Sequence, residues 1–238
     1  MWDTCDVVSL YSNVLQNEMI QHFITEEDVQ KSIRFVKDAY RPLSERLRNT
    51  GSGSDDNSIA HRCAYLHLYS PVHTALVYDV MCRALFQERE YFDSFLRVHS
   101  CTRPLKICNL GGGPGADLIG VIAAFQQEFG CIHTSATIID IVSGWKDILG
   151  NIIEELRCGL YGGFELDPHF EWDFLTANLV DKISGDVSNA INSADFITMT
   201  KFVSAVVHQN ATGMIKNIFK RMKPGALVLF IDNDGGES

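Results

Sequence analysis

Residues 105–129 read LKICNLGGGPGADLIGVIAAFQQEF, in which an apolar run, a glycine-rich turn and a helix-like stretch follow one another directly. The run Leu105–Leu110 predicts a short buried strand, and Asp117–Phe129 predicts a helix. The turn Gly111–Gly115 needs glycine because side chains would block a tight turn and keep backbone amides away from a cofactor. The order of strand, glycine turn and helix therefore indicates a βα unit that holds a nucleoside-containing cofactor.

Strand-like and helix-like segments alternate from this unit to the end of the chain. Four further apolar runs predict strands, at Ala136–Ile141, Phe170–Asp173, Asp195–Thr200 and Ala226–Asp232. Repeated β–α alternation places parallel strands in one sheet, with helices on both faces and ligands at the carboxyl ends of the strands. We therefore expect an α/β fold with a Rossmann-like, mainly parallel sheet.

The first hundred residues have helical periodicity instead. Apolar residues recur at helical spacing in 3–22, 25–49 and 59–98, and Pro71 is expected to break or kink the last of these. The polar, glycine-rich residues 50–58 predict a mobile surface loop. We expect an N-terminal helical lid and substrate region at 1–100, followed by a cofactor-binding domain at 101–238.

Composition limits the classes of function. Of the 238 residues, 46% are hydrophobic, the net charge is −10, and no window is apolar enough for a membrane span. The acidity argues against nucleic acid as the main partner, because a phosphate backbone would be repelled. Seven cysteines without any C-x-x-C pair predict reduced thiols, which favours the cytoplasm, with the nucleus as an alternative.

Two acids follow predicted strands at the edge where a cofactor would bind. Asp140 ends the second strand beside Ile141, where a carboxylate can accept hydrogen bonds from both ribose hydroxyls; its alternative role is a helix cap. Asp173 and Phe174 follow the third strand, where an acid and an aromatic ring suit an adenine edge and face. Their alternative roles are a turn acid and a core phenylalanine.

These motifs resemble those of the class I S-adenosylmethionine-dependent methyltransferases over about residues 105–232. The resemblance implies S-adenosyl-L-methionine as the cofactor and methyl transfer as the reaction. It implies that the loop approaches the methionine part, that Asp140 holds the ribose and that Asp173 with Phe174 meets the adenine. The loop residues carried over from the family pattern are Gly111, Gly112, Gly113 and Gly115.

The end of the sequence departs from that family pattern. The segment 223–232 resembles the family's fifth strand and its entry, but the family usually adds a helix and two more strands. We therefore expect the C-terminal strands of the usual sheet to be missing, with two alternatives for the exposed edge: the chain is a fragment, or a second copy covers the edge in a homodimer.

A dinucleotide cofactor is the main alternative. Gly111, Gly113 and Ala116 also satisfy a G-x-G-x-x-A pattern, and Asp140 would serve a dinucleotide ribose equally well. Asp117 favours S-adenosylmethionine, because a carboxylate at a helix N-terminus would repel a pyrophosphate but tolerates a sulfonium and an ammonium.

The acceptor side has weaker signals. Thr200, Lys201 and Phe202 follow the fourth strand and are candidates to line the acceptor pocket, with Thr200 also a cofactor contact; a helix start and a surface lysine are the alternatives. No Asn/Asp-Pro-Pro-aromatic motif and no Pro-Cys nucleophile are present. We therefore expect a small-molecule acceptor, with a catalytically silent S-adenosylmethionine sensor as the alternative function.

Polar aromatic residues gather before Pro71. Upstream tyrosines or arginines can contact the cofactor carboxylate in the family that the chain resembles, and the resemblance therefore makes Arg62, Tyr65 and Tyr69 candidates for this contact. His67 and His73 are candidate bases. The alternative is an amphipathic helix with snorkelling tyrosines and hydrogen-bonded histidines.

A metal site is a further possibility that we do not expect. The pair Asp232-Asn233 resembles part of the catechol-type metal site, but Thr200 and Lys201 stand where that site needs a carboxylate.

Overall fold

A computed structural model describes residues 2–39, 58–100, 103–159, 161–206 and 210–232. The predicted loop at 50–58 lies outside this part except for Ser58, and so do the second half of the predicted helix 25–49 and Asn233. No helix in the described part is long and apolar enough to cross a membrane.

Within the described residues, five helices precede the first strand. They are α1 (Thr4–Gln21), α2 (Glu26–Ala39), α3 (Ile59–Leu68), α4 (Ser70–Gln87) and α5 (Arg89–Ser100). Pro71 lies in the first turn of α4, where its missing N–H removes no helical hydrogen bond, so it starts a new helix rather than kinking one. A second break, at Glu88, has no proline or glycine to signal it.

Strands and helices then alternate as expected. The elements are β1 (Leu105–Leu110), α6 (Ala116–Phe129), β2 (Thr134–Asp140), α7 (Trp145–Arg157), β3 (Glu171–Thr176), α8 (Gly185–Ser193), β4 (Phe196–Thr200), α9 (Phe202–Val206), α10 (Ala211–Phe219) and β5 (Leu227–Ile231). All four strand pairings are parallel, and the order is β3-β2-β1-β4-β5. This is the order of the doubly wound Rossmann sheet, so the predicted fold class is confirmed.

Helices cover both faces of the sheet. Ile107 of β1 belongs to a core shared with α1, α4, α5, α6 and α7, whereas its neighbour Cys108 belongs to a core shared with α8 and α10. This alternation follows from the two-residue repeat of a strand buried on both faces. The N-terminal helices therefore extend one side of the sheet's own core.

The helix α4 packs directly on α6. The Thr74 hydroxyl donates to the Ala116 carbonyl at 3.0 Å, and a Cβ atom at Gly120 would come within 2.7 Å of the Thr74 carbonyl oxygen. Val77 also approaches Gly120, so the two helices run in the same direction, and the start of α4 lies beside the glycine loop. This packing fixes the lid candidates over the carboxyl edge of β1.

A buried carboxylate ties the amino ends of the strands together. Asp195 accepts two hydrogen bonds from Arg103, at 2.6 and 2.7 Å, one from the Lys106 amide and one from the Lys223 ammonium. Burial alone would raise the pKa of Asp195, but these donors outweigh it and hold the pKa at about 2. The network joins the start of β4 to β1 and to the turn before β5.

The predicted end of β3 is wrong. The strand continues three residues past Asp173 to Thr176, and Thr176, not Asp173, pairs in register with Asp140. The exposed Asp173 is tolerated inside β3 because β3 is an edge strand, where charged side chains are common. The strand β5 forms the other edge of the described sheet, and a second copy covering it stays a prediction.

Candidate functional site

The glycine loop has the conformation that only glycine adopts easily. Gly111, Gly113 and Gly115 have φ values of +65°, +50° and +83°. A Cβ atom at Gly111 would overlap the Phe202 ring, and one at Gly115 would lie 2.7 Å from Leu149. The loop is therefore closely packed against its neighbours as well as unusual in backbone conformation.

The same packing explains Gly112, whose backbone conformation is ordinary. A Cβ atom at this position would lie 2.6 Å from the buried Asn109 side chain. Backbone conformation therefore requires glycine at three positions of the motif, 111, 113 and 115, and close packing against Asn109 requires it at Gly112.

The N–H groups of the loop are bonded within the protein. The amides of Gly111 and Gly112 donate to the Ile139 carbonyl at 2.8 and 3.3 Å, and the Gly115 amide donates to Gly112 at 2.8 Å. The Gly113 amide donates to Asp140 Oδ2 at 2.9 Å, and Pro114 has no N–H. A pyrophosphate held by these amides would have to break bonds already made, so the loop does not offer the usual phosphate cradle.

Asp140 is fixed at the end of β2. It is buried, Oδ2 accepts from Gly113, and Oδ1 accepts from the Val142 amide at 2.9 Å. Burial raises its pKa, while the bonds from the Val142, Gly113 and Ile141 amides oppose that shift. Each oxygen has a second lone pair, so the carboxylate can still accept ligand hydroxyls, and Ile141 is exposed beside it.

The residues predicted for adenine are placed differently. Asp173 is exposed in the body of β3, and Phe174 is 6% exposed within the core. The residues of this segment that reach the carboxyl edge are Thr176 and Ala177. The Ala177 amide donates to the Asp140 carbonyl. The end of β3 was predicted too early because an acid followed by a phenylalanine resembles the end of a strand.

Three buried polar side chains with unpartnered atoms surround the start of α6, and we call them the Asp117 cluster: Asp117, Thr200 and Asn109. Within the described residues, Asp117 Oδ2, the Thr200 hydroxyl and Asn109 Nδ2 have no hydrogen-bond partner. Burial raises the pKa of Asp117 to about 7, and the nearby hydroxyls of Thr200 and Thr198 with two backbone amides offset only part of this effect. Buried polar atoms are normally paired, so the cluster lacks a partner that a ligand would supply.

An aromatic wall covers the loop from the lid side and consists of Tyr65, Tyr69, His73 and Trp145. The centroid of the Tyr65 ring lies 5.2 Å from that of Trp145 and 5.4 Å from that of Tyr69. The ring centroids of Tyr69 and His73 are 5.8 Å apart. Trp145 Nε1 is 4.0 Å from where a Cβ atom on Gly113 would be. Trp145 was not predicted from the sequence; its position in the first turn after β2 was the available signal.

The remaining lid candidates divide between the interior and the surface. The Arg62 guanidinium lies against Gly144, in the turn after β2. His67 is exposed, whereas His73 is buried, with Nδ1 3.3 Å from the Tyr65 hydroxyl. The structure thus places Arg62 at the turn after β2 and joins Tyr65, Tyr69 and His73 in the aromatic wall with Trp145, and their roles in binding stay predictions.

His73 is a neutral side chain at neutral pH. Burial, and then the positive charge of Lys201, lowers its pKa to about 4. Lys201 has a φ of +56°, which is uncommon for a residue with a side chain, and its amide donates to the Ile231 carbonyl at 2.7 Å. This conformation turns the chain out of β4 and into α9 beside the loop.

Asp232 has a structural partner. Its Oδ2 accepts from the Ser204 amide at 2.9 Å and so caps the short helix α9. In the described part of the chain, no three His, Cys, Asp or Glu side chains gather in a metal-binding arrangement.

Comparisons with known proteins found similarity to solved structures only at low sequence identity. No family model and no curated protein matches the chain. An O-methyltransferase family protein from Burkholderia thailandensis is 17% identical, with a TM-score of 0.40 over 87% of this chain and 53% of its own. The chain therefore spans about half the length of that protein.

Two further solved structures are similar at the same level. A Methanococcus maripaludis protein assigned as an S-adenosyl-L-methionine-dependent methyltransferase is 13% identical, with a TM-score of 0.44 over 76% of this chain and 68% of its own. The magnesium protoporphyrin IX methyltransferase of Synechocystis, solved with bound SAM, is 15% identical. Its TM-score is 0.36 over 81% of this chain and 72% of its own.

The chain's own geometry carries the assignment of the fold. Its parallel strand order, the glycine loop after β1 and the buried acid ending β2 occur together on one edge of the sheet. The chain is a Rossmann-like α/β protein, and the solved structures similar to it include methyltransferases.

Proposed function

We propose that this protein binds S-adenosyl-L-methionine at the carboxyl edge of β1, β2 and β4 and transfers its methyl group to a small molecule. The proposal rests on the observation that the loop amides already donate hydrogen bonds to acceptors within the protein. The edge then offers a ligand the carboxyl group of Asp140, with the buried carboxyl of Asp117 behind the loop, while the amides of Gly111, Gly112, Gly113 and Gly115 are already bonded. Carboxylates suit ribose hydroxyls and a cationic sulfonium, and they repel phosphate.

The residues present fit this cofactor. Asp140 would hold the ribose, the loop 111–115 would pack against the methionine part, and Thr176 lies on the adenine side. The unpartnered atoms of the Asp117 cluster would face the positive sulfur of the cofactor. The cofactor supplies an electrophilic methyl group on positive sulfur; the chain's residues bind, align and exclude water.

The walls of the site support a small organic acceptor. Tyr65, Tyr69 and the buried Trp145 pack against one another beside the loop, and the Phe202 ring lies against Gly111. A net charge of −10 does not favour a nucleic-acid substrate. All six described cysteines are free thiols, which supports a reducing compartment such as the cytoplasm.

Calorimetric titration with S-adenosylmethionine, S-adenosylhomocysteine and NADH tests the binding step. We expect both S-adenosyl compounds to bind and NADH not to bind; the opposite pattern would contradict the proposal. Incubation with methyl-labelled cofactor and a panel of metabolites then tests transfer. Tight binding without any labelled product would support a sensor instead of an enzyme.

A further inference from the structure

We propose that Asp117 is the proton acceptor of this site: its carboxylate balances the positive sulfur of the bound cofactor and takes up the proton that the acceptor loses during methyl transfer. This inference rests on the proposed function and assigns an ionisable group to it.

The position of Asp117 is the first argument. It lies in the first turn of α6, directly after the glycine loop, and is 4% exposed. Its Oδ2 makes no well-formed hydrogen bond in the described residues, although the hydroxyls of Thr200 and Thr198 lie close enough to the carboxyl to lower its pKa. An unpaired buried carboxyl oxygen is costly, so a ligand that pairs with it gains affinity there.

The comparison with His73 is the second argument. Protonating His73 would place a second positive charge near Lys201 in a buried site, and its pKa is lowered to about 4. Protonating Asp117 removes a buried charge instead, and its pKa is raised to about 7. A proton acceptor works best when its pKa is close to the working pH, so Asp117 is the better matched of the two.

The other groups that face Asp117 do not compete for the proton. Tyr11 of α1 faces it from the N-terminal helices; burial raises the pKa of Tyr11, and its hydroxyl is paired with Thr74 of α4. Thr198 and Thr200 face it from β4 with hydroxyls only.

The charge balance of the reaction is the third argument. The acceptor's nucleophilic atom forms a bond to the methyl carbon while the carbon–sulfur bond breaks and its electron pair stays on sulfur. The proton of the acceptor passes to Asp117 Oδ2. A carboxylate and a sulfonium are thereby replaced by a neutral carboxylic acid and a neutral thioether, which a buried site of low polarity favours.

Proton release on binding tests the inference without an acceptor. S-adenosylmethionine and S-adenosylhomocysteine differ only by the methyl group and its positive charge. Calorimetric titrations at pH 7, in buffers of different ionisation enthalpy, measure the protons released by each. With a pKa of about 7, Asp117 is half protonated, so we expect the methylated compound to release about half a proton per site and the homocysteine compound less.

Two variants and one control assign the proton. Asp117→Asn should abolish the difference between the two ligands, and Thr200→Val, which removes a hydroxyl that favours the ionised form, should enlarge it. The control is Asp186→Asn, an exposed aspartate in the first turn of α8, which should keep the native difference. Equal proton release by both ligands, or a difference that persists in Asp117→Asn, would overturn the proton role alone. Failure of both ligands to bind would overturn the proposed function as well.

Discussion

Replacing Asp140 with asparagine tests the residue on which the ribose site depends. Asp140 accepts the Gly113 and Val142 amides through its two oxygens, at 2.9 Å each. Asparagine keeps one oxygen and turns an NH₂ group toward the other amide, so one charge-assisted bond is lost within the protein and one toward the ribose. A hydrogen bond to a charged group contributes about 1.5–3 kcal/mol.

The expected effects follow from these two bonds. The Kd for S-adenosylmethionine should rise about 10- to 100-fold, since about 1.4 kcal/mol corresponds to a factor of ten. The free energy of unfolding should fall by about 1–3 kcal/mol, because a buried backbone amide loses its acceptor. Calorimetric titration and urea unfolding measure the two quantities.

Asp173→Asn is the matched control. Asp173 is an exposed aspartate three residues short of the carboxyl edge on the neighbouring strand. Its replacement should leave the Kd unchanged and alter stability by no more than about 0.5 kcal/mol. If Asp173→Asn weakened cofactor binding as much as Asp140→Asn, or if Asp140→Asn bound normally, the reasoning on the edge of the sheet would be refuted.

Three further predictions concern packing and charge. Gly120→Ala should destabilise the protein by about 1–3 kcal/mol, because its Cβ atom would press on the α4 backbone, whereas Gly185→Ala, with open space around it, should not; thermal unfolding of both variants checks this. Asp195→Asn should lower stability by about 2 kcal/mol at neutral pH. The pKa of Asp195 is lower in the folded protein, so this contribution should be complete above about pH 4 and disappear toward pH 2, as acid titration of the native protein against the variant would show. His73 should remain neutral at pH 6, as NMR titration of its ring would show; a midpoint near 6.5 would contradict its burial beside Lys201.

The sheet could be predicted from local sequence because its strands are apolar on both faces. The bounds of β1 match the predicted Leu105–Leu110, and those of β2, β4 and β5 differ from the prediction by at most two residues at either end. Edge strand β3 was harder, because its exposed face carries acids that resemble a turn. The break at Glu88 was missed because no proline or glycine marks the end of α4 there.

The sequence predicted a site residue only where a single residue type can meet the structural requirement of its position. The glycines after β1 and Asp140 after β2 belong to that group. The Asp117 cluster required the structure, because unpartnered atoms on β1, β4 and α6 appear together only after folding. The same holds for the aromatic wall, whose members come from α3, α4 and α7.

A crystal structure of the complex with S-adenosylhomocysteine tests the central claim most directly. We predict that the ribose hydroxyls bind Asp140 and that the sulfur lies between the glycine loop and the Asp117 cluster, below the aromatic wall. A complex in which the ligand bound elsewhere, or in which Asp140 made no contact with the ribose, would contradict the account.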